Sequence, residues 1–392
     1  MKIVIDATAA ISGGRLYLEK LLPQIALLNS GHEFTVFHAG DLDRLAESIS
    51  NLRFTFIRAQ IPFLRDGQWA GASILRMLWR KFVLPIHLRR LQPDLLFSNS
   101  GAVPNWKLAK TRTVIALHNC MPLDAELIEE ETSSVRRWRL KMLRRQMQRS
   151  LAACDGSIAF SEDTRRRIRE NFGELPHAPS VVRHAIDWGE AERQASVNFD
   201  DLQRFGIERP YLIYVSQFHR YKNVPRLLEA FAQVTANHPQ LQLVLVGAMA
   251  DGDYWNEVLE TTRRLNLTER VVTIPAVPRQ QLVTLYRNAL AFVQPSLAET
   301  CSFPLLEALA LGIPAAVAET TAMPEMAGEA AIYFDPRNVA EMAEAMERLV
   351  WDENLRGELS RKAIEQAAKF TWEKTARQTL AVFESLSQHR AR

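Results

Sequence analysis

The sequence predicts an α/β protein with doubly wound parallel sheets and more than one domain. Its 392 residues suffice for two or three domains, and a hydrophobic content of 47% allows each domain to bury a core. Short apolar segments alternate along the chain with segments of helical periodicity. This alternation is typical of parallel sheets in which helices connect successive strands.

The N-terminal half contains a series of predicted strands separated by helices. The predicted strands are residues 2–6, 34–37, 53–57, 94–98 and 113–117, and the clearest helices are residues 16–28 and 73–91. A loop that ends in Ser12-Gly13-Gly14 follows the first strand. A strand, a glycine-rich loop and a helix form a weak phosphate-binding pattern, and a tight turn that needs glycine explains either glycine equally well.

Two features of this half argue against a dehydrogenase. The dinucleotide fingerprint G-x-G-x-x-G is absent, and the second strand ends in His38-Ala39 instead of the acid that would hold a ribose. His118 follows the strand 113–117, at the carboxyl end where open α/β sheets bind ligands. We therefore expect a functional role for this imidazole, with a histidine satisfied within its loop as the alternative.

Positive charge is concentrated in the first half. Residues 1–190 contain 27 Lys and Arg against 20 Asp and Glu, a net charge of +7, whereas the whole chain has a net charge of +3. Two segments, 73–91 and 133–149, mix cations with large apolar side chains. Such helices can lie in an anionic membrane interface. A packed helix with a solvated basic face is the alternative, and no nucleic-acid-binding module is recognisable.

The C-terminal half repeats the alternation of strands and helices. Its predicted strands are residues 211–215, 241–246, 271–274, 289–293, 313–317 and 331–334, and a helix is expected over 224–234. After the fourth of these strands, Ser302 and Pro304 mark the start of a helix that ends at Gly312. Glu299 lies in the loop before this helix, and Glu307 lies about one turn into it. Helix N-termini favour anions such as phosphate, so this stretch predicts a ligand site.

The stretch resembles the E-x7-E signature of glycosyltransferase family 4, a family of retaining enzymes with the GT-B fold. Seven residues separate Glu299 from Glu307, and Phe303-Pro304 stands between them. Other landmarks occur in family order, namely Lys222-Asn223, Pro324-Glu325 with Gly328, and Phe370-Thr371-Trp372. The resemblance extends over nearly the whole chain and is most specific in residues 210–372.

The resemblance assigns roles to particular residues. It implies that Lys222 grips the donor diphosphate, that Glu299 binds hydroxyls of the donor sugar and that Glu307 binds the ribose. Gln217 stands where the family usually has an arginine, so either Arg220 replaces that charge or the grip is weaker. The remaining implied contacts are His118 beside the reacting sugar and, on the donor or acceptor, Gly13, Gly14, Val277, Ser302, Phe303, Pro304 and Leu305.

The resemblance also implies an architecture. We expect two Rossmann-like domains that face a central cleft, with acceptor binding in residues 1–190 and donor binding in residues 205–370. Residues 371–392 are expected to form a helix that crosses back to the first domain. Polar residues 190–201 are interpreted as the linker.

The expected function is retaining transfer of a hexose, such as mannose or rhamnose, from a nucleotide diphosphate sugar to a glycan or lipid-linked acceptor in bacterial polysaccharide or lipopolysaccharide synthesis. No divalent metal or other cofactor is expected, because no acidic pair suits metal-held phosphates. A nucleotide-sugar epimerase and a non-catalytic GT-B binding subunit remain alternatives. Three cysteines without metal spacing and the lack of a signal-like N-terminus favour the cytoplasm, with or without peripheral attachment to the inner face of the plasma membrane.

Overall fold

The computed structural model describes residues 1–9, 13–49, 51–61, 72–103, 110–188, 199–208, 210–249 and 251–388. The chain divides into two compact units. The first comprises Met1–His184 with Trp372–Arg392, and the second comprises Ala185–Thr371. Most of the predicted linker, residues 190–198, lies outside the described residues.

The described part of the first unit contains a parallel sheet of seven strands. The strands are β1 (Lys2–Asp6), β2 (Glu33–His38), β3 (Phe54–Arg58), β4 (Leu95–Ser98), β5 (Arg112–Ala116), β6 (Gly156–Ala159) and β7 (Ser180–Val181). They lie in the order β3-β2-β1-β4-β5-β6-β7. The helices are α1 (Gly13–Leu28), α2 (Asp43–Ser48), α3 (Ala72–Phe82), α4 (Leu84–Leu91), α5 (Ala125–Glu130), α6 (Ser134–Ala153) and α7 (Glu162–Phe172).

The second unit contains a parallel sheet of six strands among its described residues. They are β8 (Tyr211–Val215), β9 (Gln242–Val246), β10 (Val271–Ile274), β11 (Ala291–Gln294), β12 (Ala315–Ala318) and β13 (Ala331–Phe334). Their order, β10-β9-β8-β11-β12-β13, is the doubly wound 3-2-1-4-5-6 order of a Rossmann sheet. The helices are α8 (Phe199–Arg204), α9 (Val224–Asn237), α10 (Gly252–Arg264), α11 (Arg279–Asn288), α12 (Phe303–Ala310), α13 (Met323–Ala327), α14 (Val339–Trp351) and α15 (Glu353–Ala367). Both sheets confirm the predicted fold class.

The last helix, α16 (Trp372–Gln388), packs against the first unit. The Phe383 ring lies 5.2 Å from the Phe97 ring of β4, and the hydroxyl oxygens of Thr379 and Tyr17 are 3.5 Å apart. Tyr17 belongs to α1, so the helix covers α1 and the adjacent sheet. The predicted return of the C-terminal helix to the first domain is confirmed.

One predicted helix is wrong in its extent. Residues 73–91 form two helices, α3 and α4, with a break at Val83. Pro85 causes the break, because proline lacks an amide hydrogen and its ring collides with the carbonyl group four residues earlier in a continuous helix. In the observed structure Pro85 lies in the first turn of α4, where neither defect costs stability.

Each sheet has a point where its strand order reverses, and this point positions the candidate site. In the first sheet it lies between β1 and β4, and in the second it lies between β8 and β11. Loops at the carboxyl ends of these strands diverge to opposite faces of the sheet and leave a crevice, where open α/β sheets bind ligands. In the second unit these loops carry Lys222 and Glu299.

Candidate functional site

Lys222 and Glu299 meet at the switch point of the second sheet. Lys222 ends a 3₁₀ turn (Arg220–Lys222) after β8, and Glu299 lies in the loop after β11. The Lys222 Nζ atom donates to Glu299 Oε1 over 2.6 Å. Lys222 is 8% exposed and Glu299 is 7% exposed, so this is a buried ion pair. Buried charges need such a partner, because an unpaired one costs several kcal/mol.

Neutral side chains extend the ion pair towards the start of α12. Gln294 Nε2 donates to Glu299 Oε1 over 2.9 Å, and Ser302 Oγ donates to Gln294 Oε1 over 2.7 Å. Ser302 in turn caps α12 by accepting from the Leu305 amide at 3.2 Å, as predicted. The Leu305 amide is therefore already satisfied, and an anion that used it would have to displace this hydroxyl group.

Asn223 fixes the loop that carries Lys222. It adopts a left-handed backbone conformation, with φ of 62°, between the 3₁₀ turn and α9. Its Nδ2 atom donates to the carbonyl oxygens of Pro295 at 3.1 Å and of Pro336 at 2.7 Å. Asparagine suits this position because it tolerates positive φ and offers two donors. Lys222 thus supplies the positive charge, and Asn223 fixes the loop that carries it.

Glu307 lies on α12 in a buried environment. The Tyr286 hydroxyl oxygen lies 3.3 Å from Glu307 Oε2, and its one hydrogen is shared between this carboxyl group and the Pro304 carbonyl oxygen. Burial raises the pKa of Glu307 to about 7, and the positive charge of Arg279 partly opposes this shift. Arg279 itself lies over the Trp188 ring at 4.1 Å, and Trp188 Nε1 donates to the Glu307 carbonyl oxygen at 3.0 Å. Glu307 can therefore exchange a proton near neutral pH.

This raised pKa predicts a pH-dependent stability. Between about pH 4.5 and pH 7 the Glu307 carboxyl group keeps its proton in the folded protein, whereas the unfolded chain releases it. The contribution of this group to the free energy of unfolding is therefore fully present below pH 4.5 and is lost as the pH rises through 7. In the wild type this decline in the free energy of unfolding is on the order of 3 kcal/mol. We expect Glu307→Gln to remove it. Urea unfolding of both proteins at pH 5 and pH 8 measures it. Parallel stability curves for wild type and variant would contradict the prediction.

The other residues predicted for the donor site have contacts of their own. Arg220 pairs with Glu257 at 2.5 Å, and its guanidinium group lies 5.6 Å from the centre of the Tyr254 ring. Gln217 is exposed, and Val277 is half-buried in the loop after β10. Phe303 and Pro304 form the first turn of α12, where the Pro304 carbonyl oxygen accepts from the Tyr286 hydroxyl at 3.1 Å.

The first unit brings Gly14 and His118 together at the carboxyl edge of its sheet. His118 Nε2 lies 2.8 Å from Asn99 Oδ1, and Asn99 Nδ2 donates to the Gly14 carbonyl oxygen at 2.9 Å. A Cβ atom on Gly14 would lie 3.2 Å from Asn99 and 3.6 Å from the His118 ring. Gly13 begins α1. Glycine at position 14 therefore allows the first turn of α1 to pack closely against the Asn99 amide group that holds the imidazole.

The hydrogen bond to Asn99 defines the state of His118. An amide oxygen only accepts, so the imidazole carries its proton on Nε2. Burial lowers the pKa of His118 to about 3. The ring also contacts Tyr17 and Phe160, with centroid distances of 5.2 Å and 4.5 Å. His118 is therefore a neutral, positioned side chain at physiological pH.

Three polar residues of these sites escaped the sequence analysis. Gln294 is the last residue of a buried strand, Asn99 follows another, and Tyr286 lies on a helix. A polar side chain at the end of a buried strand or directly after it was a usable signal for Gln294 and Asn99, because strand ends of parallel sheets face ligands. Tyr286 had no such signal, since only the packing of α11 against α12 brings it to Glu307.

Two properties concern possible metal and membrane binding. Within the described ranges, no group of three or more His, Cys, Asp or Glu side chains is arranged to hold a metal ion. None of the helices in the described part of the chain combines the length and the apolar character needed to cross a membrane.

Two Rossmann-like units with parallel sheets, with the C-terminal helix belonging to the first, define a protein of the GT-B fold. Solved structures agree over almost the full length of the chain. Sucrose-phosphate synthase from Thermosynechococcus elongatus superposes with a TM-score of 0.75 at 17% identity, covering 99% of this chain and 100% of that one. HepE from Anabaena, solved in complex with UDP and glucose, gives a TM-score of 0.71 at 18% identity, with coverage of 98% and 100%.

Family profiles match both halves of the chain. Residues 200–370 match the glycosyl transferases group 1 profile, and residues 25–188 match the glycosyltransferase family 4 profile. An O-antigen chain mannosyltransferase B of Escherichia coli is 24% identical over 252 residues, or 63% of this chain and 65% of that protein. The alignment thus spans slightly less than two thirds of this curated relative. The chain belongs to the group 1 glycosyltransferases of the GT-B fold.

Proposed function

We propose that the protein is a retaining, metal-independent glycosyltransferase. It would transfer a hexose such as mannose or rhamnose from a nucleotide diphosphate sugar to a glycan or lipid-linked acceptor. The observation that carries this proposal is the buried pair of Lys222 and Glu299 at the switch point of the second sheet. A buried cation next to a carboxylate suits a ligand that presents a diphosphate beside sugar hydroxyl groups.

The proposed chemistry uses the pair in two ways. As the bond between the anomeric carbon and the diphosphate oxygen breaks, negative charge builds on the diphosphate, and Lys222 stabilises it. Glu299 Oε1 already accepts two hydrogen bonds, whereas Oε2 accepts none from the described residues. Oε2 would accept from hydroxyl groups of the donor sugar. Glu307 would accept from the ribose hydroxyls.

We propose that the anomeric configuration is retained because the diphosphate departs from the same face of the sugar that the acceptor oxygen attacks. The acceptor oxygen forms the new bond to the anomeric carbon, and its proton passes to the departing phosphate oxygen. No enzyme nucleophile is needed for this step. We propose that neutral His118, held by Asn99, hydrogen-bonds the sugar or the acceptor.

The comparisons support a nucleotide-sugar donor and surface polysaccharide synthesis. HepE was solved with UDP and glucose, and the Escherichia coli relative is an O-antigen mannosyltransferase. Metal independence is proposed because the Lys222 ammonium group can balance diphosphate charge that other enzymes neutralise with a divalent ion.

A transfer assay with product analysis tests this proposal. The purified protein is incubated in EDTA with sugar nucleotides labelled at the anomeric carbon and with lipid-linked or free glycan acceptors. We expect a labelled glycoside with the donor's anomeric configuration by NMR. An inverted product would exclude retention. An isomerised free sugar nucleotide would indicate an epimerase, and binding without any product would indicate a non-catalytic subunit.

Membrane attachment is also proposed, from the cytoplasmic side. Large apolar side chains are exposed on the two basic segments, among them Met77 and Phe82 on α3 and Val135, Trp138 and Met142 on α6. Exposed apolar groups beside cations fit an anionic bilayer surface. A rise in salt from about 50 to about 500 mM shortens the electrostatic screening length to roughly half or less. Binding to phosphatidylglycerol vesicles should therefore weaken over this range. Salt-insensitive co-sedimentation would contradict the proposal.

A further inference from the structure

A cavity of about 670 Å³ lies between α3 and α6 of the first unit. The two basic segments that the sequence singled out thus face one another across one groove. Cavities of roughly 300–1,000 Å³ are the usual size of ligand pockets. The groove is separate from the Lys222–Glu299 pair, which belongs to the second unit.

The groove wall is largely apolar. Met77 of α3 and Trp138, Met142 and Leu143 of α6 line it, together with Val103 from the loop after β4. Met77, Trp138 and Met142 are 54%, 65% and 43% exposed. Side chains of this size lose free energy when they remain in water, so a hydrocarbon occupant would be stabilised here.

The groove is also strongly cationic. Arg80, Lys81, Arg139, Arg145 and Arg149 contribute to the lining, and the described residues that form it include no Asp or Glu. Within the described residues, Arg139, Arg145 and Arg149 form no ion pair. Arginine groups without an acidic partner fit phosphate oxygens, which they can bind through two parallel hydrogen bonds. The occupant is thus both apolar and anionic.

Arg80 connects the groove to the ligand edge of the sheet. Its Nε atom donates to Asp6, the last residue of β1, at 2.6 Å. Its Nη2 atom donates to Ser98 Oγ, at the end of β4, at 3.0 Å and to the Ala102 carbonyl oxygen at 2.7 Å. These contacts fix the groove beside the carboxyl ends of β1 and β4, which is the switch point of the first sheet. A bound phosphate in the groove would therefore lie next to the edge where the acceptor is expected.

We propose that this groove binds the lipid carrier of the acceptor, a long hydrocarbon chain that ends in a phosphate or diphosphate. The proposal rests on the proposed function, because it identifies the acceptor of that reaction as lipid-linked. The chain lies along the apolar wall formed by α3 and α6. The phosphate lies among the arginines, with its sugar end towards β1 and β4.

Calorimetric titration of the full chain with dodecyl phosphate, below its micelle concentration, tests the proposal. We expect binding at least about 10-fold tighter than that of dodecanol or inorganic phosphate, since each lacks one half of the required chemistry. Met142→Asp places a carboxylate in the groove and should weaken dodecyl phosphate binding at least about 10-fold. Gln148→Asp is the matched control, because Gln148 is exposed on the same helix and does not line the groove. It should bind within about twofold of wild type.

The outcomes separate this proposal from its rivals. Equal loss in both variants, or equal affinity for dodecyl phosphate and inorganic phosphate, would overturn it. Displacement of dodecyl phosphate by phosphatidylglycerol vesicles but not by a soluble prenyl phosphate would assign the groove to bulk membrane lipid and would also overturn it. Nucleoside diphosphate binding, measured on the same samples, should be unchanged in Met142→Asp. Dodecyl phosphate binding without nucleotide binding would leave the groove intact and refute the proposed function.

Discussion

Lys222→Met is expected to lower kcat/KM for sugar transfer by roughly 10²–10³-fold, the loss seen when one preorganised group that stabilises transition-state charge is removed. The physical reason is the loss of the cation at the switch point of the second sheet, where the leaving diphosphate would develop charge. Steady-state kinetics with a labelled donor measures the effect. Lys362→Met is the matched control, because Lys362 pairs with Glu358 on the surface of the same unit, and its activity should match wild type.

Loss of structure must be separated from loss of chemistry in this variant. Without Lys222, Glu299 becomes a buried carboxylate with no cation. Breaking a buried ion pair in this way lowers the free energy of unfolding by roughly 3–5 kcal/mol. The double variant Lys222→Met/Glu299→Gln removes both charges and should recover most of the stability. We expect it to remain inactive. Recovery of transfer in the double variant would show that Lys222 has only a structural role.

Gly247→Ala is expected to destabilise the second unit by about 3 kcal/mol or more, because backbone strain and steric overlap act together. Gly247 has a φ of +148°, and a Cβ atom there would lie 1.6 Å from the carbonyl oxygen of Ser216. Ser216 follows β8 and leads into the turn that carries Lys222. The substitution must therefore move this loop, and nucleotide binding should fall together with stability.

Gly252→Ala provides the control for the glycine substitution. Gly252 begins α10, and apart from its chain neighbours and the backbone of its own helix, no atom of the described residues lies within 4 Å of an added Cβ. The free energy of unfolding of the Gly252→Ala variant should differ from that of the wild type by about 0.5 kcal/mol. Urea unfolding of the two variants gives the comparison. Equal stabilities would show that the close approach of Gly247 to Ser216 is not required.

Local signals in the sequence sufficed for much of the fold. Ser302 caps α12 as predicted, and Ser161 caps α7 in the same way, because a hydroxyl before a helical pattern satisfies exposed amides. Gly312, with φ of +69°, directly follows Leu311, the C-terminal cap of α12. The alternation of strand and helix determined the sheet class, and right-handed crossovers leave few topologies for it. The prediction of one helix over 73–91 is wrong, because Pro85 cannot continue α3 and instead lies in the first turn of α4.

Features that depend on non-local packing could not be predicted in the same way. Lys222 and Glu299 are 77 residues apart, and only the adjacency of β8 and β11 brings them together. The sequence left open whether Arg220 replaces the usual arginine at Gln217. In the structure Arg220 pairs with Glu257 of α10, a contact that no spacing in the sequence signals. Neither basic segment alone indicated that the two would enclose a groove.

Calorimetric titration with UDP, GDP, ADP and TDP, with and without EDTA, tests the central claim most directly. The account predicts that one nucleoside diphosphate binds more tightly than the others, that EDTA leaves its affinity unchanged and that Lys222→Met weakens it at least about 10-fold. Binding that EDTA abolishes would contradict the metal-free site. Binding that Lys222→Met leaves unchanged would contradict the assignment of the diphosphate to the Lys222–Glu299 pair.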